Sequence, residues 1–265
     1  MRSQSVSAQE CSWPRTLSHR EFFDQAAVTW DDEVKVDPHR VEQILSYAAI
    51  RPGESVLDVG CGTGLLLPYL LTLISAGGGN VGGGSIGGGR IFALDISEGM
   101  LSRARRKYGG DPRVSFLLAS AEDIPLADGS CQVVVCFSAF PHFPDKGRAM
   151  AEMARVLSPG GRLLIAHAEG RERINLLHAR IGGTVAGDQL PEASHMAGLV
   201  ATARLRKVAF IDRDDLYVLL ARKPLLAPRP LLARPKQDLS FVERTNSTLK
   251  QASQEGESSY AYRAD

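Results

Sequence analysis

The sequence predicts an α/β fold: a mostly parallel, seven-stranded sheet with helices on both faces, closed by an antiparallel hairpin. Short, nearly continuous apolar segments alternate with segments of helical periodicity, a pattern typical of parallel strands that are buried on both faces. Towards the C-terminus, the apolar segments 207–212 and 216–222 are separated by a short polar turn. Because no helix fits between them, these two strands must pair antiparallel.

The individual elements follow from caps, breakers and apolar spacing. Asp37 and Pro38 mark the start of a helix, because aspartate caps a first turn and proline fits its first position. Ser97 similarly precedes a basic helix that runs to about Tyr108. The predicted parallel strands are 55–59, 90–95, 114–119, 132–137 and 162–167. Further helices are predicted over 21–30, 65–73 and 145–157, the last one stopped by Ser158-Pro159-Gly160-Gly161.

Length and composition bound the domain organisation. The 265 residues suit one α/β domain, which we assign to residues 19–223. Residues 1–18 are expected to form a disordered arm, and residues 224–265 a disordered tail. The glycine-rich stretch 77–89 is expected to be a flexible insert within the domain.

The charge balance gives no support for a polyanionic partner. With 31 basic and 30 acidic residues, the net charge is +1, so neither nucleic acid nor a membrane surface is expected as a partner. We find no apolar core of a signal peptide and no apolar run that could span a bilayer. The 4 cysteines show no metal-binding spacing, which favours a reducing, cytoplasmic location. The oligomeric state is left open.

The strongest motif is the turn after the first predicted strand, Val56-Leu57-Asp58-Val59-Gly60-Cys61-Gly62-Thr63-Gly64. Its glycines permit left-handed backbone angles and let the backbone approach a ligand closely. Together with the free N–H groups of the following helix, they predict a nucleotide-like cofactor at this turn. Leu65 stands where a nicotinamide-binding motif needs its third glycine. Asp58 would repel a pyrophosphate but suits a ligand that carries an ammonium group.

Asp95 ends the second predicted strand, on the same rim as the glycine loop. A carboxylate at this place can accept hydrogen bonds from both hydroxyls of a ribose. The alternative is a cap for the next helix, although Ser97 already fills that role. Two more segments, 119–126 and 136–143, follow the third and fourth predicted strands and belong to the same rim.

These motifs resemble those of the class I S-adenosylmethionine-dependent methyltransferases, in particular the small-molecule branch similar to quinone-biosynthesis methyltransferases. The resemblance covers residues 37–168 and, more loosely, the hairpin to 223. It rests on Leu57–Gly64, on the acid ending the second strand, and on the segments Ala121–Leu126 and Leu157–Ile165. It implies a Rossmann-like methyltransferase fold and methyl transfer from S-adenosyl-L-methionine to a small-molecule acceptor, which the sequence does not identify.

The resemblance also implies where the cofactor lies. In that family the glycine loop holds the methionine part, the acid matching Asp95 binds the ribose, and the segment matching Ser120–Glu122 flanks the adenine. The loop after the fourth strand lies beside the sulfonium. The implied cofactor-binding residues are Asp58, Gly60, Cys61, Gly62, Gly64, Asp95, Ile96, Met100, Ser120, Ala121, Glu122, Cys136 and Phe137. The chain departs from the family pattern at Ala119-Ser120, where Gly-Asp is usual, so a hydroxyl replaces a carboxylate near the adenine.

His142 is the candidate catalytic base, because it lies in the loop after the fourth predicted strand and histidine titrates near neutral pH. The alternative is an orienting or packing role between Phe140 and Phe143. His142 could also meet His167, Glu169 and His178, as a polar pocket lining or a metal site. Their spacing matches no established motif, so no metal site is predicted.

Two alternatives concern the N-terminal aromatics and the overall activity. Phe22, Phe23 and Trp30 could form a lid over the cofactor or simply pack against the domain. A non-catalytic S-adenosylmethionine-binding regulatory or partner protein is the second functional hypothesis. A nicotinamide-dependent oxidoreductase is disfavoured by Leu65 and Asp58.

Overall fold

The computed structural model describes residues 17–75 and 89–225. Helices α1 to α8 are His19–Ala26, Trp30–Glu33, Pro38–Ala48, Leu67–Ser75, Glu98–Tyr108, Lys146–Val156, Arg171–Ile181 and Ala193–Thr202. Strands β1 to β7 are Val56–Val59, Ile91–Asp95, Val114–Leu118, Cys131–Phe137, Leu157–His167, Arg206–Arg213 and Leu216–Arg222. Two short 3₁₀ turns lie at Phe140–His142 and Gly183–Val185. Most of the predicted arm, insert and tail lies outside the described residues.

The strands of the described residues form one sheet in the order β3-β2-β1-β4-β5-β7-β6. Strands β1 to β5 pair in parallel, whereas β7 pairs antiparallel with both β5 and β6. The predicted fold class and its antiparallel closing hairpin are therefore confirmed. The chain leaves β1 towards β2 on one side and later returns to β4 on the other. Ligands of open α/β sheets bind at such a reversal, beyond the carboxyl ends of the strands.

Successive side chains of the central strands enter two different apolar clusters. In β1, Leu57 and Val59 belong to one cluster and Val56 to the other. In β4, Val134 packs in the first cluster, while Val133 and Val135 pack in the second. Because side chains of a strand alternate between faces, the sheet has a core on each side. The near-continuous apolar strands of the sequence follow from this double burial.

Side-chain caps begin three of the helices where the sequence places them. The Asp37 carboxylate accepts a hydrogen bond from His39 N at 3.0 Å, with Pro38 at the start of α3. The Ser97 hydroxyl accepts from Met100 N at 3.1 Å, and the Asp145 carboxylate accepts from Arg148 N at 2.9 Å. Each cap satisfies an N–H that has no partner within its helix.

The structure differs from the sequence-based expectations at several places: α4 begins at Leu67 rather than Leu65, and helices α7 and α8 were not predicted. Ser18, assigned to the disordered arm, instead forms a capping box with Glu21 at the start of α1. In place of the single helix predicted over 21–30, the structure has two helices, His19–Ala26 and Trp30–Glu33. The turn 158–161 ends α6 as predicted but is part of β5, which begins at Leu157 because Leu157 pairs with Cys131 across a register shift in β4. Residues 158–161 lie between the paired positions Leu157–Cys131 and Arg162–Val133, and Gly160 has a φ of 79°, so the strand contains an irregular turn there.

Candidate active site

A cavity lies at the carboxyl ends of β1, β2 and β4 and encloses about 760 Å³ of space, part of it open to solvent. Nine of the fourteen residues predicted from the sequence line it: Gly60, Gly62, Asp95, Ile96, Met100, Ser120, Ala121, Glu122 and His142. The other lining residues are His19, Phe23, Trp30, Leu94, Ala119, Ser138, Ala139, Phe143 and Pro144.

The glycine loop owes its shape to backbone angles that other residues rarely adopt. Gly60, Gly62 and Gly64 have φ values of 72°, 54° and 89°. A Cβ atom at Gly60 would lie 2.4 Å from Cβ of Ala139, in the loop after β4. Gly60 therefore lets the loops after β1 and β4 approach each other, and this approach forms the floor of the cavity.

Asp95 joins the glycine loop to the start of α5. Its Oδ2 accepts a hydrogen bond from Gly62 N at 2.8 Å, and its Oδ1 accepts from Ser97 N at 2.9 Å. Burial raises the pKa of Asp95, although the hydrogen bonds from Ser97, Gly62 and Ile96 N–H groups oppose that rise. Asp95 is 7% exposed and lines the cavity, so remaining lone pairs of its carboxylate are available to a ligand.

Asp58 lies near the end of β1 and, although predicted from the sequence as a site residue, does not line the cavity. It is 1% exposed, and its Oδ2 has no hydrogen-bond partner among the described residues. Burial and the nearby charge of Asp95 raise the pKa of Asp58 to about 8. An acceptor without a partner in this position is suited to a cationic ligand group, which would lower that pKa again.

Cys61, Gly64, Cys136 and Phe137 do not line the cavity. Cys61 and Phe137 belong to one apolar core cluster and Cys136 to the other, while Gly64 packs against α4 and Tyr108. The loop after β4 contributes Ser138 and Ala139 to the wall instead. Ser138 has a φ of 54°, unusual for a residue with a side chain, at the place where the strand turns into this wall.

The serine that replaces the usual family aspartate is turned towards its own loop. Ser120 Oγ accepts a hydrogen bond from Glu122 N at 3.2 Å. Glu122 in turn accepts from Asp145 N at 2.5 Å through its Oε1. The segment 120–122 thus has a fixed conformation on the side of the cavity next to β3.

The N-terminal segment 17–33 covers the cavity. Phe23 and Trp30 line the wall, and Phe22 lies edge-on to Phe23 with ring centroids 5.2 Å apart. A Cβ atom at Gly62 would lie 3.9 Å from Nε1 of Trp30, so the indole sits over the glycine loop. The lid hypothesis named Phe22, Phe23 and Trp30. Phe23 and Trp30 line the cavity, as a lid requires, and Phe22 does not.

Polar contacts hold this segment in place, since α1 has no buried residue. Asp24 Oδ1 accepts hydrogen bonds from Ser97 Oγ at 2.6 Å and from Gly99 N at 2.9 Å, at the start of α5. Asp31 accepts from Thr63 Oγ1 of the glycine loop at 2.5 Å. A segment held mainly by such partly buried polar contacts opens at a lower free-energy cost than the core does.

Three histidines gather around Asp188 at one end of the cavity. Asp188 Oδ2 lies 2.6 Å from Nδ1 of His142 and 3.0 Å from Nε2 of His19. The backbone carbonyl of Asp188 lies 2.8 Å from Nδ1 of His178. The rings of His142 and His178 are 4.8 Å apart. His142 and His19 line the cavity, whereas Asp188 supports them from behind.

The protonation states in this cluster follow from burial and from the contacts. Burial lowers the pKa of His142 below its usual value, against the opposing effect of the Asp188 carboxylate. Burial alone would raise the pKa of Asp188, but its hydrogen bonds and charge interactions with His142 and His19 outweigh this and lower it. A neutral imidazole therefore faces an ionised carboxylate at neutral pH.

The predicted association of His142 with His167, Glu169 and His178 is only partly present. His178 contacts His142, whereas His167 is buried, and burial together with the nearby His142 and His178 lowers its pKa to about 3. Its Nε2 has no hydrogen-bond partner among the described residues. Glu169 pairs with Arg173 at 3.5 Å. A different group, His19, His142 and Asp188, brings three potential ligand atoms within 4.8 Å of one another.

Sequence reasoning did not single out Asp188, His19 or Ser138. Asp188 follows a 3₁₀ turn in an irregular, glycine-rich segment, where no periodicity predicts which side chain points inward. His19 reaches the site only through the fold of the N-terminal helix. The available signal was chemical: an aspartate and several histidines within segments that flank the predicted rim.

The chain is similar to known methyltransferases. Residues 57–165 match the family model described as a methyltransferase domain. The chain is 36% identical to the methyltransferase GfsG of Streptomyces halstedii, over 52% of this chain and 48% of that protein. It is 32% identical to demethylmenaquinone methyltransferase of Clavibacter sepedonicus, over 54% of this chain and 55% of that protein.

A solved structure supports the same fold. N-methyltransferase NodS from Bradyrhizobium japonicum WM9, solved with S-adenosyl-L-homocysteine, aligns with a TM-score of 0.58 at 15% identity, over 77% of this chain and 98% of that one. The resemblance to S-adenosylmethionine-dependent methyltransferases and the Rossmann-like methyltransferase fold are therefore confirmed. The chain spans about half the length of the curated relatives it matches. Within the described residues, no helix is both long and apolar enough to cross a membrane.

The geometry of Gly60 makes a first testable prediction. Gly60→Ala should lower the free energy of unfolding by at least about 2 kcal/mol, because the new methyl group meets Ala139 at a positive φ. Gly110→Ala is the control, since a Cβ at Gly110 meets nothing within 4 Å. Urea unfolding followed by circular dichroism measures both; equal stabilities would contradict the close approach of the two loops.

A second prediction concerns the N-terminal segment. Asp24→Ala should speed hydrogen exchange of the amides in α1 about tenfold, because two hydrogen bonds to α5 are lost. Exchange in the core strands should stay as in the wild type. Asp32→Ala, an exposed position in the same segment, serves as the control. Unchanged exchange in the Asp24 variant would show that other contacts hold the segment.

Proposed function

We propose that this chain transfers a methyl group from S-adenosyl-L-methionine to a small-molecule acceptor. The observation that carries the proposal is the cavity in which the glycine loop and Asp95 meet at the reversal of strand order. The match of residues 57–165 to a methyltransferase domain supports the same activity. We assign the catalytic domain to residues 19–223, acting in the cytoplasm.

The residues present fit this cofactor. Asp95 presents a carboxylate to a ribose, and the fixed segment 120–122 offers a side wall for an adenine. Asp58 supplies a buried acceptor that has no partner within residues 17–75 and 89–225 and that suits a cationic amino-acid group. When bound, S-adenosyl-L-methionine supplies an electrophilic methyl carbon attached to a sulfonium. The lid residues Phe23 and Trp30 exclude water from that part of the cavity.

His142 is the proposed base for acceptors that lose a proton. It lines the cavity in the loop after β4, and burial keeps its imidazole neutral at neutral pH. A neutral histidine in reach of the acceptor can take a proton, which typically contributes about 10² to 10⁴ in rate. This group also favours an enzyme over a non-catalytic binding protein, which needs no buried base beside its cofactor.

Titration calorimetry tests the cofactor assignment. Wild-type protein should bind S-adenosyl-L-methionine and S-adenosyl-L-homocysteine, and Asp95→Ala should weaken both at least about tenfold, because a charged hydrogen-bond acceptor is removed. Asp123→Ala, an exposed acid in the adjoining segment, should bind as the wild type does. Failure of the wild type to bind either compound would overturn the proposal. Unchanged affinity in the Asp95 variant would refute the ribose contact alone.

The raised pKa of Asp58 predicts proton release on cofactor binding. With a pKa of about 8, the free carboxyl is mostly protonated at pH 7, and a bound ammonium group lowers that pKa. Binding should therefore release a proton at pH 7 and release less at pH 9, where the group is already ionised. Calorimetry in buffers of different ionisation enthalpy measures this number. Asp58→Asn should abolish the release, and its persistence would assign the proton to another group.

A further inference from the structure

We propose that the wall formed by His19, Phe23, His142 and Phe143 is an acceptor subsite for an uncharged ring compound that is methylated on a hydroxyl oxygen. We further propose that Asp188 acts as a positioning residue for His142. Both statements rest on the proposed methyl transfer. Neither the acceptor class nor a role of Asp188 follows from the sequence motifs.

The chemistry of this wall favours an uncharged, flat acceptor. Phe23, Trp30 and Phe143 present aromatic surface, and His19 and His142 are the polar side chains beside them. Among the described residues that line the cavity there is no lysine or arginine. A carboxylate or phosphate on the acceptor would therefore lose hydration with no lysine or arginine in the cavity wall to pair with it, which costs free energy. Aromatic rings, in contrast, stack favourably on such a surface.

Asp188 determines which nitrogen of His142 carries the proton. An ionised carboxylate can only accept hydrogen bonds, so the contact at 2.6 Å requires a proton on Nδ1 of His142. The unprotonated nitrogen is then Nε2, the one left for a ligand. The same carboxylate accepts from Nε2 of His19 at 3.0 Å. One aspartate thus fixes the tautomers of both imidazoles that line the subsite.

The backbone of Asp188 is itself held on both sides. Asp188 N donates to the carbonyl of Val185 at 3.0 Å, and the Asp188 carbonyl accepts from Nδ1 of His178 at 2.8 Å. The ring of His178 also packs at 4.8 Å from the ring of His142. These contacts fix the carboxylate relative to His142, as expected of a group that orients a base.

The resulting step balances in atoms and charge. The acceptor oxygen forms a bond to the methyl carbon, the bond between that carbon and sulfur breaks, and its electron pair passes to sulfur. The hydroxyl proton passes to Nε2 of His142. The positive charge lost by the sulfonium then resides on the imidazolium, next to the Asp188 carboxylate, before the proton leaves to solvent. No oxidant, reductant or further reactant is needed.

The acceptor class is tested with four probes of the same ring system: 2-naphthol, 2-naphthylamine, 2-naphthalenethiol and 2-naphthoate. Each is incubated with the full chain and S-adenosyl-L-methionine, and S-adenosyl-L-homocysteine formed is measured by mass spectrometry. We expect methylation of 2-naphthol at a rate at least tenfold above the other three. Absence of naphthol methylation, or a faster reaction of another probe, overturns the acceptor assignment. Calorimetric binding of the cofactor in the same samples separates this failure from failure of the proposed function.

The role of Asp188 is tested by Asp188→Asn, whose amide can donate to Nδ1 and thereby move the proton of His142 to Nε2. We expect kcat to fall at least a hundredfold, with cofactor affinity and acceptor KM changed less than threefold. Asp188→Glu should recover part of kcat, and the exposed Asp214→Asn should react as the wild type does. If Asp188→Asn no longer folds or no longer binds the cofactor, and Asp188→Glu does not recover these properties, then Asp188 has a structural role and the positioning role is wrong.

The pH profile and a metal test complete the experiment. Wild-type kcat should fall as the pH drops through the pKa of His142, and this acid limb should move to lower pH in Asp188→Asn, because the carboxylate no longer stabilises the imidazolium. The charged and titratable groups that face His142 are Asp188, His19 and His178, and the ammonium of Lys146 lies near Asp188. Activity should survive dialysis against EDTA. Loss of activity that Zn²⁺ restores would instead make His19, His142 and Asp188 a metal site and overturn the base.

Discussion

The carboxylate of Asp95 ties together the two loops on which the cavity is built. One oxygen accepts from Gly62 in the glycine loop, and the other accepts from Ser97 at the start of α5. Ser97 extends this hydrogen-bond network: its hydroxyl accepts from Met100 N and so caps α5, and it donates to Asp24 of the N-terminal helix. Glycine loop, helix start and covering segment therefore share one buried acid. A ligand that contacts Asp95 contacts the centre of this network.

The close approach of the loops after β1 and β4 is the second constraint. It explains why the cavity has two chemically different sides. Gly60 allows the approach, and Ala139 occupies the space that a side chain at Gly60 would need. Beyond Ala139 the chain makes the short turn that carries His142. The side next to β2 and β3 therefore offers acidic and small residues, while the side next to the lid offers aromatic rings and imidazoles. The methyl group of the cofactor and the reacting atom of the acceptor can meet where these two sides of the cavity join.

The sheet and most of the rim were predictable from sequence because they depend on local patterns. Apolar runs mark β1, β2 and β4, and the caps at Asp37 and Ser97 mark helix starts. Cys136 and Phe137, which the motif assigns to the site, belong to the core clusters and do not line the cavity, because a motif does not show which residues of a strand end face the cavity and which enter the core. The cluster around Asp188 was not predictable, since it joins residues from three segments far apart in the chain.

The crystal structure of the complex with S-adenosyl-L-homocysteine tests the account most directly. We predict that the ribose hydroxyls lie within hydrogen-bond distance of Asp95 and that the adenine lies beside residues 120–122. The sulfur should face the boundary between Ala139 and His142, with Trp30 over the ligand. A ligand bound outside this cavity, or a ribose turned away from Asp95, would contradict the assignment of the cofactor site and of the acceptor subsite that depends on it.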